Sequence, residues 1–278
     1  MEICKSLAAL AAFQQRLRGQ SLALVPTMGA LHAGHLSLVR AAQEAGQAVL
    51  VSLFVNPAQF APHEDLDTYP QTFDADVAAL EERGVTALFA PPRTLMYPDG
   101  EVTRVRIGEI GQVWEGADRP HFFDGVATVV TKLLILARAE AAYFGEKDYQ
   151  QLQVIRRLAT DLLIPTQIIG CPTVRDAGGL ALSSRNAYLS EGQRAQARGL
   201  YAALSQARQS ILEGVEISAA LETAQAGLLS QGFERVAYLA YVEAMSLETQ
   251  AHALPEGSGR LIAAATLGGV RLIDNLAV

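Results

Sequence analysis

The sequence has few cysteines, no surplus of basic residues and no long apolar run. Cys4 and Cys171 form no metal-type pair, and a disulfide scaffold of this length would need more cysteines. Lys and Arg number 22 against 29 Asp and Glu, and the resulting net charge of −7 disfavours a nucleic-acid partner. No run approaches the ~20 apolar residues of a membrane-spanning helix. We therefore expect a soluble protein of the reducing cytoplasm, with neither nucleic acid nor membrane as a partner.

The length and the N-terminal stretch set the first structural expectations. The chain has 278 residues and is 50% apolar, which suits about two domains with a sizeable core. The stretch 6–13, SLAALAAF, resembles the apolar part of a signal peptide, but Glu2 does not suit the basic region that precedes one. Apolar residues keep helical spacing until Gly19, at Leu7, Leu10, Phe13 and Leu17. We expect a structural amphipathic helix here.

Short apolar runs alternate with helical patterns through the first 170 residues. The runs are apolar throughout, as in strands covered on both faces, and they span 21–27, 48–56, 86–91, 141–145 and 166–171. The helical stretches between and after them span 36–46, 72–84, 125–140 and 150–163. Alternating strands and helices imply right-handed crossovers. We predict a Rossmann-like α/β fold with a doubly wound parallel sheet.

The composition changes after Arg175. A Gly- and Ser-rich stretch, 175–186, leads into an Ala-, Gln- and Leu-rich helical region from about 190 to 231. The remaining residues are typical of a few short strands. We predict a first domain over 1–174 and a smaller C-terminal α+β domain over 175–278.

A loop with two histidines follows the first predicted strand. It reads VPTMGALHAGHLSL, 25–38, and it places His32 and His35 where a helix is expected to begin. Ligands of open parallel sheets bind beyond the carboxyl ends of the strands. Gly29 and Gly34 have P-loop spacing, but His35 and Leu36 stand where Lys and Ser or Thr would follow. The free N–H groups of a helix start favour a phosphate, and imidazole adds a donor.

Two other interpretations of this loop stay open on the loop alone. A zinc site would need a third ligand, and neither His63 nor His121 has suitable spacing. Histidines are also common as capping or core residues. The loop by itself does not decide between a functional and a structural role.

Six sequence blocks, which follow one another along nearly the whole chain, favour the functional interpretation. HAGH (32–35) resembles the H-x-G-H signature of the nucleotidylyltransferase superfamily. That signature alone is weak, but six blocks in order together resemble the pantoate–β-alanine ligase (pantothenate synthetase) family. The blocks are PTMGALHAGH (26–35), FVNPAQF (54–60), DLDTYP (65–70), GEKDYQQL (145–152), VRDAGGLALSSRN (174–186) and RLIDN (271–275).

The resemblance implies an ATP-dependent ligase. Such an enzyme condenses pantoate with β-alanine through a pantoyl-adenylate intermediate and releases AMP and pyrophosphate. The charge of ATP implies Mg²⁺, bound mostly through phosphates and waters. The family is typically a homodimer. The resemblance further implies that 1–174 binds nucleotide and pantoate, and that 175–278 closes over the ATP site.

The resemblance also implies an ATP site. His32, His35, Lys147 and Arg185 are its expected catalytic residues, with the histidines facing the phosphates and Lys147 neutralising the α- and β-phosphates. The family makes His35 a proton donor, whereas we favour stabilisation of charge. Asp148 would accept from the ribose, and the backbone of Val174 would contact adenine. The full ATP-binding set is Met28, Gly29, Ala30, Leu31, His32, Ala33, Gly34, His35, Gly145, Glu146, Lys147, Asp148, Val174, Leu182, Ser183, Ser184 and Arg185.

The other substrates are implied to meet neutral side chains. Gln59 and Gln151 match the pantoate contacts of the family, and Gln59 also the β-alanine contact. Amides suit pantoate because its hydroxyls need both donors and acceptors, and a full positive charge would blunt its carboxylate as a nucleophile. Tyr69 is expected to make a lid contact, and Glu115 to support the β-alanine side.

One block departs from the family pattern. The family usually has Arg-Pro-x-His-Phe-x-Gly, but here RPHFFDG (119–125) has Phe122 at the histidine position. Arg119 keeps its match, and His121 lies one residue early. Either His121 reaches the same place by a local adjustment or its role is dispensable.

Two rival functions make different predictions. An adenylyl- or cytidylyltransferase would leave the nucleotide on its product; it explains the histidines but not FVNPAQF or the glutamines. A non-catalytic ATP sensor would bind ATP without any pantoate-dependent exchange of pyrophosphate.

Overall fold

The structure is a computed structural model that describes residues 1–61 and 64–278, and these form two compact units. The first unit comprises Met1–Glu146 and Val154–Pro172, and the second comprises Lys147–Gln153 and Thr173–Val278. The second unit thus includes a segment that the sequence assigned to the first domain. Inside that unit, Asn275 Nδ2 donates to the Lys147 carbonyl oxygen at 3.1 Å. The domain boundary at 174 stays a prediction.

The first unit has a parallel sheet flanked by helices. Its strands are β1 Glu2–Cys4, β2 Leu22–Thr27, β3 Ala48–Leu53, β4 Ala87–Phe89, β5 Ala141–Gly145 and β6 Gln167–Cys171. Its helices are α1 Leu7–Arg16, α2 Ala33–Glu44, α3 Phe73–Glu82, α4 Arg93–Met96, α5 Glu115–Asp118, α6 Phe122–Ala137 and α7 Tyr149–Asp161, the last of which begins in the second unit. The strand order is β1-β4-β3-β2-β5-β6, and the strands pair in parallel.

Both faces of this sheet are buried, as the continuous apolar runs require. Ala23 and Val25 of β2 join a core with residues of α2 and α3. Leu22 and Leu24 point to the opposite face, since side chains alternate along a strand, and they are buried too. The helix α6 also packs on β2. The predicted doubly wound α/β fold is therefore confirmed.

The second unit is a three-stranded antiparallel sheet covered by helices. Its elements are α8 Glu191–Ala197, α9 Gly199–Leu212, α10 Ile217–Ser230, β7 Arg235–Glu243, β8 Gly259–Leu267 and β9 Val270–Ala277. The strand order is β7-β8-β9, and α9 and α10 pack on the sheet. Leu204, Leu228, Tyr241 and Leu261 are fully buried in this core. The α+β prediction is confirmed, although the strands have 8 or 9 residues and are not short.

Several element bounds differ from the sequence prediction for local reasons. The helix α2 begins at Ala33, three residues early, because His32 caps it. The strand β3 ends at Leu53, and Asn56 then caps a 3₁₀ turn, Pro57–Gln59. The three-residue strand β1 was missed. The N-terminal helix is present as α1, with Leu10 and Phe13 buried. Among the described residues, no helix is long and apolar enough to cross a membrane.

Candidate active site

The histidine loop lies at the switch point of the parallel sheet. In the sheet, β3 and β4 lie on one side of β2, whereas β5 and β6 lie on its other side, so the strand order reverses at β2. The strands β2 and β5 pair only at Ala23 and Leu24, so the two strands diverge before Pro26 and the loop that follows it. Such a crevice, beyond the carboxyl ends of diverging strands, is where open α/β sheets bind ligands. The loop after β2 and the end of β5 at Gly145, followed by Glu146, border it.

The backbone of the loop is held in an unusual conformation. Gly29 has φ +88° and Ala30 has φ +50°, a left-handed pair that a non-glycine residue rarely adopts. Asp76 of α3 holds it in place. Its Oδ2 accepts from the Ala30 N–H at 3.0 Å, and its Oδ1 accepts from the Leu31 N–H at 2.8 Å.

The two histidines cap α2 reciprocally. The Gly34 N–H donates to His32 Nδ1 at 3.1 Å, and the His32 N–H donates to His35 Nδ1 at 3.3 Å. The ring centroids lie 4.1 Å apart. A nitrogen that accepts a hydrogen bond carries no proton, so the neutral rings carry theirs on Nε2. Each imidazole therefore has an N–H donor on the side of the ring away from the helix cap.

The loop contacts the segment that carries Gln59. Gln59 Nε2 lies 3.0 Å from Met28 Sδ, and Gln59 Oε1 accepts from Asn56 Nδ2 at 3.0 Å. This contact fixes which end of the Gln59 amide donates. The structure thus brings Met28, predicted for ATP, next to Gln59, predicted for pantoate and β-alanine.

Asn56 is fully buried and fixes the segment around Gln59. Its Nδ2 also donates to the Gly125 carbonyl oxygen at 3.1 Å, and its Oδ1 accepts from Tyr97 Oη at 2.6 Å. Burial, together with the Glu101 carboxylate, raises the pKa of Tyr97 to about 12, so its hydroxyl keeps the proton that it donates. A Cβ at Gly125 would lie 2.1 Å from the Ala58 carbonyl oxygen, so only glycine allows this approach of α6.

The residues of the RPHFFDG block have mainly structural contacts. Arg119 pairs with Glu64 at 2.6 Å and with Glu115 at 3.3 Å, and it donates to the Gln59 carbonyl oxygen at 3.3 Å. Arg119 therefore supports the backbone of the Gln59 segment. His121 is exposed at the start of α6, with φ +75°. The prediction for His63 lies outside the described residues.

Tyr69 is a buried aromatic residue of the first unit. It is 6% exposed, and its ring packs edge-on against Phe60 with the centroids 5.9 Å apart. Its predicted contact with substrate stays a prediction.

Lys147 and Ser183 line one cavity in the second unit, together with Asn186, Tyr201 and Asp274. Lys147 is 19% exposed, and its Nζ lies 3.6 Å from Asp148 Oδ1. The structure therefore brings together two of the predicted ATP-binding residues from separate sequence blocks. Gln151 lies in the first turn of α7, partly exposed.

The 174–186 segment folds back on itself. The Leu182 N–H donates to the Val174 carbonyl oxygen at 2.9 Å, so the predicted adenine contact and the start of LSSR lie side by side. Ser183 Oγ accepts from the Arg185 N–H at 3.3 Å and caps a 3₁₀ turn, Ser184–Tyr188. The serine therefore orients the backbone of the basic residue two positions later.

Charged pairs fix both ends of this segment. Arg175 makes two bonds to Asp274, 2.6 and 2.7 Å long, which joins the fifth sequence block to the sixth. Burial opposes ionisation of Asp176, but hydrogen bonds from Arg198 and from the Leu180 and Gly178 N–H groups lower its pKa overall. The Asp176 carboxylate is therefore charged at neutral pH.

No group of three or more His, Cys, Asp or Glu side chains in the described part of the chain could hold a metal ion. The His-x-x-His pair serves as a helix cap there, and the zinc interpretation gains no third ligand among those residues. A magnesium ion bound mostly through phosphates and waters needs no such group of protein ligands.

Three residues that support the site were missed by the sequence analysis. Asp76 holds the histidine loop, Asn56 orients Gln59, and Gly125 allows α6 to approach the 56–59 segment. Asn56 and Gly125 lie within quoted motifs, so their place in those motifs was the available signal. Asp76 had none, because an acidic residue on a helix usually faces solvent.

The comparison with known proteins decides the family. A family model described as pantoate-beta-alanine ligase matches residues 2–277. The chain belongs to this family. It is therefore an enzyme, a ligase that joins pantoate to β-alanine, and the predicted resemblance is confirmed.

Relatives and solved structures agree over almost the whole chain. The pantothenate synthetase of Rhizorhabdus wittichii is 54% identical over 95% of this chain and 93% of that protein. The one from Caulobacter vibrioides is 52% identical over 94% and 92%. Among structures, pantothenate synthetase from Thermus thermophilus has a TM-score of 0.95 at 44% identity, covering 100% of this chain and 99% of that one. The Francisella tularensis pantoate-beta-alanine ligase, complexed with beta-gamma ATP and β-alanine, has a TM-score of 0.83 at 36% identity, covering 100% and 97%.

Proposed function

We propose that the chain makes pantothenate in two half-reactions on Mg·ATP. A pantoate carboxylate oxygen attacks the α-phosphorus, the bond to the β-phosphate oxygen breaks, and pyrophosphate leaves. The β-alanine nitrogen then attacks the acyl carbon of the pantoyl adenylate, AMP leaves with the bridging oxygen, and the nitrogen loses a proton. Activation is needed because a free carboxylate has a poor leaving oxygen. The protein therefore has to align the reactants and neutralise developing charge.

The contact between Met28 and Gln59 carries this proposal. The histidine loop offers N–H donors at a helix start, where phosphates bind. Gln59, 3.0 Å from Met28, offers its amide N–H₂ to a weak thioether acceptor, which a pantoate oxygen can replace at little cost. A nucleophilic carboxylate and the α-phosphate that it attacks would then lie next to each other at the switch point.

The proposed role of each histidine follows from its cap. With Nδ1 accepting a backbone N–H, His32 and His35 donate from Nε2 as neutral rings. Such donors stabilise negative charge as it grows on the phosphates and need no permanent cation. We assign charge stabilisation, not proton transfer, to His35.

Lys147 and Arg185 are proposed to neutralise the triphosphate. Lys147 and Ser183 share one cavity, and Ser183 orients the backbone of Arg185. A lysine can bind phosphate as a point charge, and a guanidinium can do so with two parallel bonds. Asp148 and Val174 keep their proposed contacts with ribose and adenine, Gln151 keeps its contact with pantoate, and Tyr69 keeps its lid contact. We also propose a cytoplasmic homodimer and closure of 175–278 over ATP.

Component omission tests the proposal. Purified protein is given Mg·ATP, pantoate and labelled pyrophosphate, with each component omitted in turn, and β-alanine is then added. The proposal expects pantoate-dependent exchange of label into ATP without β-alanine, and AMP with pantothenate after its addition. A transferase would keep the nucleotide on its product, and an ATP sensor would show no exchange; either result would reject the proposal.

A further inference from the structure

The carboxylate of Asp76 is buried beneath the histidine loop and is not used by the proposed chemistry. Asp76 is 3% exposed, although it belongs to the first turns of α3. Three groups donate to it: the Ala30 N–H at 3.0 Å, the Leu31 N–H at 2.8 Å and Thr72 Oγ1 at 3.1 Å. Two of the three donors are consecutive backbone amides of the loop.

Those amides belong to the part of the loop that is costly to hold. Ala30 has φ +50°, a region that costs a residue with a Cβ about 1 kcal/mol or more. Gly29 before it has φ +88°, and a Cβ there would lie 3.2 Å from Asp76 Oδ2. The carboxylate thus fits closely under a strained turn and binds both amides that the turn exposes toward it.

The turn sets the position of both histidines. His32 follows Leu31 directly, and the backbone N–H of His32 donates to His35 Nδ1. A shift of Leu31 would therefore displace the cap and both imidazoles together. A misplacement of about 1 Å at reacting groups can cost about 100-fold in rate.

We propose that Asp76 is a positioning residue for ATP activation: it holds the Gly29–Leu31 turn so that His32 and His35 face the phosphates. The inference rests on the proposed function of the loop. An amide at position 76 would keep the shape but could accept on only one atom, and its N–H₂ would then face a backbone N–H donor. The loop would lose one bond and gain one repulsive contact.

Two half-reactions separate this role from a merely structural one. The variant Asp76→Asn is compared with Asp74→Asn, an exposed acidic residue of the same helix turn. Pantoate-dependent ATP–pyrophosphate exchange reports the first half-reaction, and attack of β-alanine on synthetic pantoyl adenylate reports the second. Asp76→Asn is expected to raise KM for ATP and to lower exchange by about 10- to 100-fold. The second half-reaction should change by less than about threefold, because no pyrophosphate charge develops in it.

Several outcomes would overturn the inference. Equal losses in both half-reactions by a folded Asp76→Asn protein would assign Asp76 a structural role only, and unchanged exchange would assign it none. His35→Ala serves as the reference: if it leaves exchange intact, the proposed role of the histidine loop itself fails. If His35→Ala abolishes exchange and Asp76→Asn does not, only this inference fails.

A milder variant decides the matter if Asp76→Asn does not fold, as shown by thermal unfolding. Thr72→Val removes the hydroxyl that donates to Asp76 Oδ2 from an exposed residue and keeps its shape. We expect a severalfold higher KM for ATP with unchanged use of synthetic adenylate. An unchanged KM for ATP would then count against the inference.

Discussion

The histidine loop of the first unit and the 174–186 segment of the second differ in the groups that they offer a ligand. The loop and its neighbour Gln59 offer backbone N–H groups, neutral imidazoles and an amide. The second unit has Lys147 and Ser183 in one cavity, and it holds its 174–186 segment with arginine–carboxylate pairs. Neutral donors thus stand in the unit proposed to hold pantoate, and cations in the other.

The difference has a chemical reason. In the proposed mechanism the pantoate carboxylate has to stay nucleophilic, so a permanent cation bound to it would slow the attack. A triphosphate carries several negative charges, and an acidic chain of net charge −7 has to bring cations to it locally. Arg175 and Arg198 are engaged with Asp274 and Asp176 and serve the fold, whereas Lys147 and Arg185 are the cations proposed for ATP.

The largest effect on activity is expected from a change in the histidine loop of the first unit. His35→Ala should lower pantoate-dependent exchange about 10²- to 10³-fold, because a donor to developing negative charge is lost. The fold should persist, as measured by circular dichroism. His252→Ala, which removes an exposed histidine of the second unit, provides the control. Near-native exchange by His35→Ala would remove this residue from the mechanism.

The second unit is expected to depend on the Arg175–Asp274 ion pair for its stability. Asp274 is 3% exposed, so Asp274→Ala leaves Arg175 without its carboxylate and should lower the free energy of unfolding by about 3 kcal/mol. Denaturant unfolding measures this loss. The exposed pair Arg157–Asp161 is the control, and Asp161→Ala should cost less than about 0.5 kcal/mol. Similar losses in the two variants would show that the buried pair is not special.

Gln59→Ala sharpens the comparison inside the first unit. It removes a donor proposed for pantoate and β-alanine, so KM for both should rise roughly tenfold or more, while affinity for ATP changes less than about twofold. Steady-state kinetics with each substrate varied in turn test this, with the exposed Gln15→Ala as the control. An equal loss of ATP affinity would contradict the assignment.

The smallest effect concerns Tyr97 behind Asn56. Its pKa of about 12 lies above its ordinary value of 10, so folding favours the protonated hydroxyl. That contribution to stability is complete below pH 10 and is lost as the pH rises toward 12. Tyr97→Phe should remove this part of the alkaline loss of stability. Identical slopes of stability against pH between 10 and 12 in both proteins would contradict it.

The sequence predicted the architecture of the two units better than it predicted the contacts that hold the candidate site in place. Continuous apolar runs such as that of β2 indicate a sheet buried on both faces, and the structure has one. The order of the sequence blocks that contain His32, Gln59 and Lys147 identified the correct family. Capping was one of the interpretations left open for the two histidines, but their reciprocal cap could not be specified, because it depends on ring orientation, which spacing does not encode.

Support from distant parts of the chain could not be predicted. Asp76 reaches Leu31 from 45 residues away, and Tyr97 reaches Asn56 from 41 away. A single sequence carries no signal for such pairs, since each side chain is ordinary in its own segment. Inside the second unit, Asn275 likewise contacts Lys147 from 128 residues away.

Oxygen tracing tests the central claim, attack of the pantoate carboxylate on the α-phosphorus, most directly. Pantoate labelled with ¹⁸O in both carboxylate oxygens is converted with Mg·ATP and β-alanine. The masses of AMP, pyrophosphate and pantothenate are then measured by mass spectrometry. We predict one ¹⁸O in each AMP, one in pantothenate and none in pyrophosphate. Unlabelled AMP, or ADP with labelled inorganic phosphate, would contradict the account.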